Sequence, residues 1–217
     1  SCVARAVNPN IQKLGADGGA VTALLCHLFD KGQIDGAIVT KKTGLFQRVP
    51  WLATTREEII ESAGFHFDTL HSLQLFSELY STYCPTLAKR DKMNAKRLER
   101  VAFVGTPCQV SAIRRIKALN MEPANAITII LGLFCKGSFI FGPEQQHRLE
   151  EIGRFKWNQV EKINVKEHLV IHLQNKEVRE ISMDQLDFMK REACHYCTDY
   201  TAEFADISFG SIGAPEG

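Results

Sequence analysis

The sequence lacks an excess of charge of either sign. Its 217 residues include 26 Lys and Arg against 25 Asp and Glu, which gives a formal net charge of +1 at pH 7. A protein that binds the phosphate backbone of a nucleic acid carries a basic surplus. We therefore expect no nucleic acid among the main partners of this protein.

Long apolar runs, internal repeats and low-complexity tracts are missing as well. The longest apolar runs, such as residues 126–134, fall far short of the roughly 20 residues that cross a bilayer. The first residues show no signal-peptide pattern. With 45% hydrophobic and 24% charged residues, the composition is typical of a soluble globular protein. The sequence thus predicts one compact domain over residues 1–217, located in the cytoplasm and without a membrane span.

Cysteine is present at moderate density and in an odd number. Seven Cys in a chain of this length fit metal-bound thiolates in a reducing compartment better than a disulfide scaffold. Cys2, Cys26 and Cys84 have no evident partner. Cys26 follows Leu25 on an apolar helical pattern, so we expect a packed thiol without metal contact there.

The other four cysteines suggest a shared metal site. Cys194 and Cys197 stand in Cys-His-Tyr-Cys, a spacing that offers two sulfurs to one metal centre, and Cys108 and Cys135 are single cysteines that follow apolar runs. Structural zinc is usually held by two local pairs, so one pair with two single cysteines favours an iron-sulfur cluster. In the alternative interpretation, Cys108 and Cys135 are small buried hydrophobes and the pair is unrelated to them.

Helical and β patterns alternate along the chain. We predict an α/β fold, with a mixed sheet, flanking helices and a small antiparallel β excursion. The predicted elements are a helix between Gly19 and Lys31, a strand at 34–40, a helix at 54–63, a strand at 101–104, a helix at 109–119, a strand at 126–133, a helix at 144–154 and short strands at 160–165, 169–174 and 178–182. Cys108 and Cys135 follow the ends of two predicted strands, and the carboxyl edge of an α/β sheet carries its chemistry. The predicted site therefore lies at these strand ends.

Five segments carry a resemblance to a known family. They are residues 4–6 with 11–22, 104–109 (Val-Gly-Thr-Pro-Cys-Gln), 132–135 (Gly-Leu-Phe-Cys), 194–197 (Cys-His-Tyr-Cys) and 205–217. In this order they resemble the coenzyme F420 hydrogenase/dehydrogenase beta-subunit family. The family commonly continues beyond the Pro-Glu-Gly with which this sequence stops, which allows for further sequence after Gly217.

The resemblance implies a flavin and iron-sulfur oxidoreductase. Such a protein exchanges a hydride with coenzyme F420 through FAD and passes single electrons through a 4Fe-4S cluster to a partner subunit or ferredoxin, as part of a larger complex or a homo-oligomer. The resemblance assigns FAD binding to residues 1–100 and iron-sulfur binding to residues 101–217. The implied cluster ligands are Cys108, Cys135, Cys194 and Cys197. The implied flavin contacts are Asp17, Gly18, Gly19, Thr22, Thr82, Thr106, Pro107, Gly210 and Ser211.

Physical reasons accompany parts of this assignment. Glycines before a helix let backbone N–H groups approach a pyrophosphate, and the positive end of the helix dipole favours its charge. The acidic tail of coenzyme F420 needs basic side chains, for which Lys41, Lys42 and the basic run 89–100 are candidates.

Two alternatives stay open. Some relatives take electrons from ferredoxin and reduce another substrate. A non-catalytic docking subunit that holds zinc with the four cysteines would contain no flavin.

Overall fold

A computed structural model describes residues 1–15, 18–44, 48–64, 98–121, 124–165 and 168–210. The helices in these residues are α1 (Pro9–Leu14), α2 (Ala20–Asp30), α3 (Arg56–Glu61), α4 (Pro107–Ala118), α5 (Pro143–Gly153) and α6 (Glu192–His195). The strands are β1 (Gly36–Lys42), β2 (Arg48–Ala53), β3 (Val101–Gly105), β4 (Ile127–Leu133), β5 (Val160–Val165), β6 (His168–Leu173), β7 (Val178–Ser182) and β8 (Ile207–Phe209). No helix in this part of the chain is long and apolar enough to span a membrane.

Two sheets organise the described residues. The larger has the order β2-β1-β3-β4-β8, in which β2 is antiparallel to β1 and all other neighbours are parallel. The smaller is antiparallel, with the order β5-β6-β7. The predicted mixed sheet, flanking helices and antiparallel excursion are confirmed. Because β1 pairs with β3 in register Gly36 to Val101, both halves of the chain contribute to one sheet.

Alternating side chains give the larger sheet two apolar faces. Ala37 and Val39 of β1 face the cluster that includes Leu25 of α2, whereas Ile38 faces the cluster that includes Ile113 of α4. Strand side chains alternate with a period of two, so one apolar run serves both faces. Burial of each Leu or Ile contributes about 1.5–3 kcal/mol, which fixes the helices on opposite sides of the sheet.

The smaller sheet has a core of its own. Ile171 and Ile181 pack with Leu149 of α5 and with Leu186 and Met189, which belong to a 3₁₀ helix at Met183–Met189. This core ends directly before the segment that carries Cys194. The small sheet therefore supports one side of the predicted site.

Asp35 joins the amino ends of β1 and β3. Its carboxylate accepts hydrogen bonds from the backbone N–H of Glu99 at 3.2 Å and of Arg100 at 3.0 Å, and from Arg100 Nη2 at 2.7 Å. Its own backbone N–H donates to Arg100 O at 2.7 Å. The hydrogen bond from the Arg100 side chain lowers the pKa of Asp35 below its ordinary 3.8.

We expect Asp35→Asn to lower the melting temperature at pH 7 by about 2 °C, in line with loss of an exposed ion pair in a chain of this size. A depressed pKa contributes stability above the ordinary value of 3.8, and that contribution is lost as the pH falls through the lower pKa of the folded chain. The difference between wild type and variant should therefore shrink in acid. Thermal unfolding across pH measures this, with the exposed Glu203→Gln as control; a difference that persists in acid would contradict it.

Candidate functional site

A glycine turn stands directly before α2. Gly18 and Gly19 have φ values of +92° and +68°, which L side chains rarely adopt. The Ala6 N–H donates to Gly18 O at 2.7 Å, and a Cβ on Gly19 would lie 2.5 Å from Ile11 O. Because α2 leads into β1 and packs on the sheet, its first turn lies at the carboxyl ends of the parallel strands. Backbone N–H groups of this turn therefore face the edge predicted to carry chemistry.

The turn after β3 brings Cys108 to the same edge. The Thr106 N–H donates to Gln109 Oε1 at 2.9 Å, and Pro107 begins α4 with its φ already suited to a helix. Thr106 Oγ1 lies 3.3 Å from Cys108 Sγ. The Cys108 thiol is exposed in the first turn of α4.

Cys135 follows the end of β4 and is held by the segment that leads to β8. Its N–H donates to Tyr200 O at 3.0 Å, and the preceding Phe134 N–H donates to Phe209 O at 2.8 Å. The rings of Phe134 and Tyr200 pack with centroids 5.4 Å apart. A Cβ on Gly210 would overlap the Phe134 ring, so the predicted flavin contact Gly210 also has a packing reason to be glycine.

Cys194 lies in α6, beside the loop that follows Cys135. The Ser138 N–H donates to Cys194 Sγ at 3.4 Å, and the Arg191 N–H donates to Ser138 O at 2.9 Å. Cys197 comes just after α6, with its Sγ 3.5 Å from the carbonyl oxygen of Asp199. Backbone contacts thus join the loop of Cys135 to the loop of the Cys-x-x-Cys pair.

The four thiols lie in one electrostatic neighbourhood. Burial raises the pKa of Cys135 to about 11; a hydrogen bond with the Gly137 backbone lowers it, and charges on Cys108, Cys194 and Cys197 each raise it. Within the described residues no three His, Cys, Asp or Glu side chains form a closed set of metal ligands. The chemistry of the donor set still suits a cluster, because Cys135 lies within electrostatic range of the other three thiols, and backbone groups at Gly137 and Ser138 bond to the sulfurs of Cys135 and Cys194.

Comparisons with known proteins assign the family. Sequence models described as "Coenzyme F420 hydrogenase/dehydrogenase, beta subunit" match this chain, the N-terminal one over residues 1–77 and the C-terminal one over residues 98–217. The chain belongs to this family. Among its relatives, the coenzyme F420 hydrogenase subunit beta of Methanococcus voltae is 30% identical over 217 residues, which cover 99% of this chain and 72% of that protein. The F420-dependent formate dehydrogenase subunit beta of Methanocaldococcus jannaschii is 27% identical, over 98% of this chain and 53% of that protein.

A solved structure shares the fold. One chain of the F420-reducing NiFe hydrogenase complex from Methanosarcina barkeri matches with a TM-score of 0.82 and 26% identity, over 98% of this chain and 70% of that chain. The resemblance stated from the motifs is therefore confirmed at the level of the family and of the fold.

Several predicted flavin contacts in this family member lie near the described edge. Gly18, Gly19 and Thr22 share the start of α2, although the Thr22 side chain is only 7% exposed, and Thr106 and Pro107 form the turn before Cys108. Asp17, Thr82 and Ser211 lie outside the described residues. The flavin contacts stay predictions.

The structure also gives the surroundings of three other side chains that the sequence analysis or the site would bring into question. Cys26 is 3% exposed inside the core, as predicted, and burial raises its pKa. His195 is exposed, with Nδ1 3.6 Å from Asp187 Oδ1. Lys41 Nζ lies 2.7 Å from Glu61 Oε2 and over the Trp51 ring.

The basic candidates for the acidic tail of coenzyme F420 need one revision. Arg100 pairs with Asp35 at the amino ends of the strands, opposite the cysteine edge. It is therefore not suited to a ligand bound at that edge. Residues 89–97 of the basic run lie outside the described residues.

Sequence reasoning missed two residues that join the segment before β8 to α4 and β4. Asp206 and Arg114 form an ion pair at 2.5 Å between Oδ1 and Nη2. Asp206 is inside the resembling segment 205–217 and precedes the apolar Ile207, which is a weak signal for a strand-start anchor. Arg114 stands in an ordinary amphipathic helix, where no local signal marks it.

Proposed function

We propose that this chain is an oxidoreductase that exchanges a hydride with coenzyme F420 through FAD and passes single electrons through a 4Fe-4S cluster to a partner. The observation that supports the proposal is that the glycine turn, the Thr106 turn and the segments after β3 and β4 lie at one sheet edge, with three thiols in electrostatic range of Cys135, in a member of the coenzyme F420 hydrogenase/dehydrogenase beta-subunit family. When bound, FAD supplies the conversion between two-electron hydride transfer and the one-electron transfer that a cluster carries.

The flavin side of the site rests on backbone groups. Two successive glycines at positive φ add no side chain of their own beside the N–H groups that begin α2, a helix of 11 residues. These N–H groups would bind the phosphates of FAD, with the helix dipole adding to the attraction. The turn of Thr106 and Pro107 lies at the same edge and would place the flavin ring beside Cys108.

The cluster side rests on thiols and the backbone groups around them. Cys108, Cys135, Cys194 and Cys197 would ligate the iron atoms. Burial raises the pKa of the Cys135 thiol, so Cys135 would act as a thiolate ligand once a cation such as iron compensates its charge. The N–H of Ser138, aimed at Cys194 Sγ, would stabilise the reduced cluster and so raise its potential.

The names of the relatives indicate only the class of electron-transfer partner. These include hydrogenase and dehydrogenase subunits that share the coenzyme. An electron-transfer subunit of a larger complex or a ferredoxin would therefore receive or supply the single electrons.

The deciding experiment begins with anaerobic purification of the full chain, cluster reconstitution, and iron, zinc and flavin analysis. We expect flavin together with about four iron atoms per chain, the content of one cubane cluster. Reduced coenzyme F420 is then offered with a one-electron dye, and its absorbance is followed. If protein that contains flavin and iron exchanges electrons with ferredoxin but never with coenzyme F420, the proposed substrate is wrong. If the protein contains zinc in place of iron, the proposed electron transfer is wrong.

For the flavin site we expect Gly18→Glu to lower flavin content by about tenfold or more. The new side chain would occupy space beside the pyrophosphate, and its carboxylate would repel the phosphate charges. Flavin per chain is measured after release from purified protein. The matched control is Gly32→Glu, at the other end of α2, where φ is +63° and no atom lies within 4 Å of the added Cβ. Equal flavin contents in the two variants would show that the phosphates bind elsewhere.

A further inference from the structure

Asp206 binds the edge of β4 with both its backbone and its side chain. The Asp206 N–H donates to Ile130 O at 2.8 Å, and Asp206 Oδ2 accepts from the Ile130 N–H at 2.7 Å. The parallel pairing of β4 with β8 begins one residue later, at Leu131 with Ile207. At Ile130, directly before the β4–β8 pairing begins, the Asp206 carboxylate therefore takes the place of a backbone acceptor.

Arg114 links the same segment to α4. Its Nε donates to Phe204 O at 2.7 Å and its Nη2 donates to Asp206 Oδ1 at 2.5 Å. Arginine is suited to this double contact because its donors form a rigid planar fork. One side chain thus holds two points of the segment against the helix that carries Cys108.

The segment so held is shaped to lie on β4. Ala202 is fully buried at φ +58°, and a Cβ on Gly132 would overlap the side chains of Ala202 and Ala205. Asp199 orders the turn from within, because its carboxylate accepts from the N–H groups of Thr201 and Glu203.

We propose that Asp206 and Arg114 are positioning residues for the cluster site, which rests on the function proposed above. The pair ties together three separate pieces of chain: α4, which contains Cys108, β4, which leads to Cys135, and residues 197–206, which begin at Cys197. The last of these also accepts the Cys135 N–H at Tyr200 O. Holding the three pieces in register keeps the thiols at the separation that one cluster requires.

Two substitutions break the pair with little change in shape. Asp206→Asn retains one acceptor for the Ile130 N–H and loses the charge that faces Arg114. Arg114→Gln removes the fork, and Arg114→Lys returns the charge without the fork. The controls are Glu203→Gln and Arg115→Gln, exposed neighbours on the same segment and the same helix.

The test uses the reconstituted full chain and the rate at which a chelator removes iron. We expect Asp206→Asn and Arg114→Gln to lose iron about tenfold faster than wild type, the scale seen when outer partners of metal ligands are removed. Arg114→Lys should recover part of the loss, the two controls should match wild type, and flavin content should not change. An Asp206→Asn variant that melts earlier but keeps its iron as long as Glu203→Gln does would overturn the proposal and leave only a structural role.

A second measurement separates this proposal from the proposed function. Hydrogen exchange of residues 198–209 in the metal-free chain should be faster in Asp206→Asn than in Glu203→Gln, because the Asp206–Arg114 pair orders that segment even without iron. A wild-type chain that takes up no iron would end the proposed function. Unchanged hydrogen exchange in Asp206→Asn would contradict the positioning role of the Asp206–Arg114 pair, whether or not iron binds.

Discussion

Replacing Cys135 by serine is expected to reduce electron transfer from reduced coenzyme F420 to a one-electron dye by more than about 100-fold, since loss of a ligand should exceed the 10–100-fold cost of losing an outer partner. Serine is a poor iron ligand, and Cys135 is a half-buried thiol within electrostatic range of the other three. Bound flavin should remain, because the glycine turn is untouched. Dye reduction, iron content and flavin content are measured on the same anaerobic preparation.

The control for this prediction is Cys26→Ala. Cys26 lies on the buried face of α2, so its replacement should cost about 1 kcal/mol of stability through lost packing and leave iron content and dye reduction at the wild-type level. A Cys135→Ser protein that retains the iron and the activity of Cys26→Ala would remove Cys135 from the ligand set.

The second large effect is expected from Gly19→Ala, which should lower the free energy of unfolding by about 2–5 kcal/mol. A left-handed conformation costs a residue with a Cβ about 1–2 kcal/mol, and the collision with Ile11 O adds about 1–3 kcal/mol of overpacking. Flavin should be lost as well, because relief of the collision moves the start of α2. Urea unfolding and flavin content measure the two effects.

Gly32→Ala provides the comparison. Gly32 has a similar φ of +63° but no atom within 4 Å of an added Cβ, so only the conformational cost of about 1–2 kcal/mol applies. The difference between the two variants isolates the contact with Ile11. Equal destabilisation by both would show that the backbone at Gly19 relaxes freely and that the turn is not rigid.

Local sequence patterns predicted the strands that lead to the site. The apolar runs before Cys108 and Cys135 became β3 and β4, and the three short antiparallel strands were placed within about one residue of their observed bounds. These elements are determined by their own side-chain alternation, which is visible in sequence. The ligand roles of the cysteines stay predictions.

Elements that depend on distant partners were missed. β2 contains Pro50, which argues against a strand, yet it pairs at the edge of the sheet where a missing N–H is tolerated. β8 has only three residues, and its anchor Asp206 is held by Arg114, 92 residues away in sequence. No local pattern reports a contact of that range. Arg100 differs, because it directly precedes the predicted strand 101–104, and its place at the amino end could have been inferred from that strand.

The distribution of the four cysteines along the chain bears on biosynthesis. On the proposed ligand set, Cys108 and Cys197 are separated by β4, the whole antiparallel sheet and two helices, so a nascent chain can offer iron only the neighbouring pair Cys194 and Cys197 before the rest of the site has formed. Closing so long a loop is favourable only once the strands have paired. A complete four-thiol site of this kind would therefore form only after the larger sheet has folded.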